Sequence, residues 1–159
     1  MAGVFFPVDV EFIGAASLKK KMDKLAKSDT TDKEMFQALL KGGLLIHADA
    51  VRSIVSRSPG STSAVRYDPK RDVKVSPGGT PPNADTGYLH KSVRVAFNEN
   101  EMWVDVGTDV DYGAFLEFGA ASINLEARPW LGPAFAKNRD KIIKMLRKVT
   151  ADAVKRDVT

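Results

Sequence analysis

Cysteine is absent from all 159 residues, and histidine occurs only as His47 and His90. The first absence removes thiol nucleophiles, zinc ribbons and disulfide frameworks together, and it suits a chain made in a reducing cytoplasm. The second leaves few bases to activate a nucleophile. His47 falls in an apolar helical stripe and His90 in a polar turn, so both read as structural. Carboxylates are scattered: Asp109, Asp111 and Glu117 come close in sequence, but Asp111 is better placed as a helix cap. The glycines of Pro77-Gly78-Gly79-Thr80 lack the lysine that a phosphate-binding loop places after them. No catalytic, cofactor-binding or metal-binding residue is therefore assigned. There is also no apolar run of about 18 residues. The opening Met1-Ala2-Gly3-Val4-Phe5-Phe6-Pro7 has no basic leader and is followed by Asp9 and Glu11, so neither a signal peptide nor a membrane span is expected.

What is present fits a single domain over 1–159, long enough to bury a core without staples. Val8, Val10 and Phe12 alternate with Asp9 and Glu11 as in a strand that Gly14 ends, and Ser17 then caps a short helix with Leu18, Met22 and Leu25 on one face. From Asp32 the positions Phe36, Leu40, Leu44, His47, Val51 and Ile54 follow helical spacing until Pro59-Gly60. Gly42-Gly43 inside this helix costs about 1 kcal/mol per glycine relative to alanine. Either a close approach of another backbone or a local kink accounts for the pair. Residues 58–84 are rich in Ser, Gly, Pro and basic side chains and keep only the Val73, Val75 alternation, which predicts a long mobile loop able to order on a partner.

Asp85 is placed to cap the turn Thr86-Gly87-Tyr88-Leu89-His90-Lys91. Val93, Val95 and Phe97, then Met102, Val104 and Val106 across Asn98-Glu99-Asn100, predict an antiparallel hairpin. A short helix capped by Asp111 follows, with Tyr112, Phe115 and Leu116 on one face. The last helix is expected from about Pro133, burying Phe135, Ile142, Met145, Leu146 and Val149. Its Lys137, Lys141, Lys144 and Lys148 form either a solvated face or, given a net charge of +4 and pI near 9.3, a contact for nucleic acid. The fold class is α+β: a small antiparallel sheet with the long helix and the C-terminal helix packed on one face.

Two segments stand out: Tyr112-Gly113-Ala114-Phe115-Leu116-Glu117-Phe118-Gly119 and Ala127-Arg128-Pro129-Trp130-Leu131-Gly132-Pro133-Ala134. They are built from residues that set backbone geometry and fill contact surfaces rather than from residues that do chemistry. With Thr86-Gly87-Tyr88-Leu89-His90-Lys91-Ser92 before a strand, their order and spacing resemble the tail-completion or head-tail joining proteins of long-tailed bacteriophages. Trp130, His90 and Ala120 stand where phenylalanine, arginine and threonine are more usual in that family.

The resemblance implies a non-enzymatic virion protein, made in the bacterial cytoplasm, that forms a ring, commonly of six copies, at the head-proximal end of the tail tube. The implied partners are sibling copies, the tail tube protein and the head-tail stopper or connector, with incidental DNA contact and no membrane. A cyclic ring needs two different complementary patches on each subunit. The candidate interface residues are Thr86, Gly87, Leu89, Tyr112, Phe115, Glu117, Phe118, Gly119, Arg128, Pro129, Trp130 and Leu131. Trp130 either fills a neighbour's groove or packs the last helix onto its own sheet. Glu117 and Arg128 are expected to pair, within or across subunits, and fix the loop between them. A basic nucleic-acid-binding protein is the alternative.

Overall fold

A computed structural model describes residues 29–67 and 70–158. The strand expected over Val8–Phe12 and the helix expected from Ser17 lie outside the described residues. Helix α1 spans Asp29–Val55, strands β1 and β2 span Thr62–Tyr67 and Lys70–Val75, and the short helix α2 spans Tyr88–Ser92. Strands β3 and β4 cover Arg94–Asn98 and Trp103–Gly107, helix α3 covers Asp111–Phe118, and helix α4 runs Leu131–Val158 after a 3-10 turn at Ala121–Ile123. The class is α+β, and the strands form two antiparallel two-stranded sheets, β1–β2 and β3–β4.

The paired glycines explain how α1 becomes the centre of the fold. A Cβ on Gly42 would stand 2.9 Å from Ile142 on α4, and one on Gly43 would stand 2.5 Å from Val104 on β4. Close approach is therefore the reason for both, made by side chains of two different elements rather than by another backbone. Helix α1 consequently packs on the inner face of β3–β4 and against α4 at once. Of the expected stripe Phe36 and Ile54 are buried and Val51 packs against the core, Ile46 and Ala50 join them, and Leu44 is exposed.

Helices α1 and α4 are antiparallel, since Arg156 near the end of α4 reaches Glu34 near the start of α1, while Lys137 and Asn138 reach Asp49 at the other end. In α4 the buried side chains of the first turns are Ala134 and Asn138, and Phe135 is exposed. Small Ala134 and a hydrogen-bonded amide fill the seam with α1 in these turns, and the larger Ile142 enters it two turns later opposite Gly42. Asn138 Nδ2 donates to Asp49 Oδ2 at 2.8 Å and to the Ala134 carbonyl at 2.9 Å, so its burial is matched by bonds. The Asn138 amide, and after it Lys137, hold the Asp49 carboxyl below its ordinary value of 3.8. A carboxyl lowered on folding contributes stability that is complete above its unfolded value and is lost as pH falls through the folded one. Urea midpoints measured from pH 5 downward should therefore decline more steeply for the natural chain than for Asp49→Asn.

Residues 58–84 are not a structureless excursion. Within them β1 and β2 pair from Thr62↔Val75 to Tyr67↔Lys70. The base of this hairpin is pinned by polar groups: Asn83 Oδ1 accepts from Ser58 N at 2.8 Å, Asn83 Nδ2 donates to Ser61 Oγ at 2.8 Å and to the Lys74 carbonyl at 3.0 Å, and Ser58 Oγ donates to the Pro81 carbonyl at 2.6 Å. Backbone pairing and side-chain bonds thus replace the apolar burial that the composition withholds.

Candidate functional site

Helix α3 joins the two motifs, and its sides have separate roles. On the inner side Gly113 is buried; a Cβ there would lie 2.6 Å from Thr108 Cγ2 and 3.4 Å from Leu89. That approach seats Trp130, only 2% exposed, in a cluster with Ile46, Ala50, Ile54, Leu89, Val93 and Ala134. Its indole Nε1 donates to the Gly113 carbonyl at 3.3 Å. Of the two roles open to Trp130, packing within its own chain is the one observed, beneath α3 in a cluster that Val106 of β4 packs against. Leu89 is buried in the same cluster and also lines the cleft beside α3.

Within the chain Glu117 and Arg128 do not pair with each other. The Glu117 carboxylate caps α4: Oε2 accepts from Trp130 N at 2.7 Å and Leu131 N at 2.9 Å, and Oε1 accepts from Gly132 N at 2.8 Å. These N–H groups have no intrahelical acceptor, and a negative charge there also meets the positive end of the helix dipole. Arg128 instead bonds backbone: its Nε donates to the Ser76 carbonyl at 2.9 Å, its Nη1 to the Glu126 carbonyl at 3.2 Å, and its main-chain N–H to the Leu116 carbonyl at 2.6 Å. With Gly79 N donating to the Ala127 carbonyl at 2.7 Å, the loop 120–130 is fastened to the exit of the β1–β2 hairpin.

Two expected caps are also reassigned. Val110 is the N-cap of α3, without a side-chain bond, and Asp111 is the first helical residue, where its charge favours the dipole. The N-cap position of α2 falls on Gly87 at φ 79°, and Thr86 Oγ1 accepts from Tyr88 N at 3.3 Å. Gly119 ends α3 at φ 76°, and a Cβ there would lie 2.9 Å from both Ala127 N and the Leu125 carbonyl oxygen. Backbone on two sides makes glycine obligatory.

The remaining sides of α3 face outward. Tyr112 and Leu116, one turn apart, form a wall of a cleft of about 690 Å³ closed opposite by Val73–Ser76 of the hairpin and at one end by Thr86–His90. Arg128 also lines it, so Thr86, Gly87, Leu89, Tyr112 and Arg128 of the expected interface set converge on one cavity. Two buried polar atoms lack a hydrogen-bond partner among the described residues, Ser76 Oγ and His90 Nδ1, and both residues line this cleft. His47, by contrast, is used internally, its Nε2 lying 3.0 Å from the Val93 carbonyl. On the next side of α3 Phe115 is 52% and Phe118 82% exposed, and Ile123 beyond Gly119 is 67% exposed. Pro129 and Leu131 are half-buried flanks of Trp130. The cleft residues Ser76 and Leu125 carried no mark in the sequence, since only folding brings them beside Thr86–His90.

Among the described residues no three His, Asp or Glu side chains gather as a metal site, and no helix is long and apolar enough to cross a membrane. The geometry is that of a scaffold that spends its motif residues on holding α3 and leaves that helix's outer side bare. The chain belongs to the HK97-gp10-like family: the family model, described as "Bacteriophage HK97-gp10, putative tail-component", matches residues 16–119. The match contains the Thr86–Ser92 and Tyr112–Gly119 motifs and stops before Ala127–Ala134 and α4. No curated protein and no solved structure matches the chain.

Proposed function

We propose that the protein is a structural, non-catalytic component of the virion that closes the phage tail as a ring of six copies and joins the tail tube to the neck. Its partners are then sibling copies, the tail tube protein and the head-tail stopper or connector. Membership of a tail-component family supports the setting. The observation that carries the reading is the bare outer side of α3 and its following turn, where Phe115, Phe118 and Ile123 are exposed together while Glu117 and Gly119 between them are fixed in place. Large apolar side chains held on a rigid element and left in solvent mark a contact surface.

Particles assembled without the chain should show filled heads and separate tails by electron microscopy, and adding the full-length protein should restore joining. Joined, infectious particles in its absence would contradict the proposal.

A further inference from the structure

The proposed ring requires each copy to carry a projection and a receptor that differ from one another. We propose that the projection is the outer side of α3, with Phe118 at its tip, and that the receptor is the cleft between α3 and the β1–β2 hairpin of the adjacent copy. The inference rests on the ring reading above.

Two features of the two surfaces correspond. The cleft is walled by apolar Val73, Leu89, Leu116 and Leu125, and the projection is apolar at Phe115, Phe118 and Ile123. Charge agrees as well. The cleft lining carries Lys74 and Arg128 against the single carboxylate of Asp85, whereas α3 carries Asp111 and Glu117 and no lysine or arginine.

The occupant must come from another molecule. Tyr112 and Leu116 of the same helix already form the cleft wall, and at 100° per residue Phe115 and Phe118 point roughly 110° away from them. A chain cannot fold its own α3 into the cavity that α3 bounds.

The absence of cysteine makes the contact directly testable. Full-length Phe118→Cys, Tyr88→Cys and the double variant are built into particles and treated with a short bismaleimide. Tyr88 is exposed at the cleft and Phe118 at the projection, so both thiols are reachable. The double variant should give a ladder of cross-linked chains ending at the ring size, and each single variant should stay uncross-linked. A ring seen by electron microscopy of the same particles without a ladder would overturn this docking and leave the ring reading standing. Dimers from Phe118→Cys alone would show a two-fold contact and overturn it also. Particles in which the chain forms no ring would remove the ring reading and this inference together.

Discussion

Trp130→Ala should destabilise the folded chain by about 3–5 kcal/mol, the range for deleting a large buried aromatic side chain. The indole is 2% exposed, is surrounded by residues from α1, α2 and α4, and bonds the Gly113 carbonyl. Removing it leaves a cavity below α3 and takes one donor from the Gly113 carbonyl. With total stabilities of roughly 5–15 kcal/mol, the variant should be largely unfolded at 37 °C or melt more than about 10 °C lower. Circular dichroism melts measure this. Phe118→Ala, which removes an 82% exposed ring, should shift the melt by less than about 0.5 kcal/mol in the same assay. Had Trp130 served as an interface anchor, the two variants would behave alike.

Glu117→Ala should be the second most damaging substitution, at about 2–3 kcal/mol. One carboxylate accepts from three consecutive backbone N–H groups at the start of α4, and each such charged bond contributes more than a neutral one. Without it the N–H groups of Trp130, Leu131 and Gly132 lose their acceptor, and the first turn of the longest helix is expected to fray. Glu117→Gln keeps one acceptor oxygen but turns an NH2 toward backbone donors, so it should recover only about half of the loss. Amide exchange at Leu131 and Gly132 gives a local readout: it should accelerate in both variants while exchange late in α4 stays slow.

These expectations also mark how far the sequence could be read. The β3–β4 hairpin, the long helix and the C-terminal helix were visible as periods of apolar residues, because each buries a stripe against the others. The β1–β2 hairpin was not. Its strands offer little apolar alternation beyond Val73 and Val75, and its base is held by Asn83 and Ser58, whose partners are remote in sequence. Periodicity records burial and is silent about ribbons held by backbone and amide bonds.

The motifs were visible as motifs, but their internal division was not. Glu117 and Arg128 looked like an ion pair since they are the charged members of two linked segments. The alternative had a signal: α4 opens on Trp130, Leu131 and Gly132 with no capping side chain of its own, so its N–H groups needed an acceptor from elsewhere. Trp130 and Phe118 could not be sorted into buried and exposed from composition, because both are large aromatics in motifs that contain glycine. The fold decides it: Gly113 lets α3 lie close over Trp130, and that same placement turns Phe118 outward.

The central claim is that the outer side of α3 exists to be covered by another virion protein chain. An electron cryomicroscopy map of the intact particle, at a resolution that shows side chains, tests it directly. The account predicts this chain in a closed ring at the head-proximal end of the tail, with Phe115 and Phe118 buried against density of another chain. A map in which the ring is present and those two side chains face solvent, or in which the chain is missing from the particle, would contradict it.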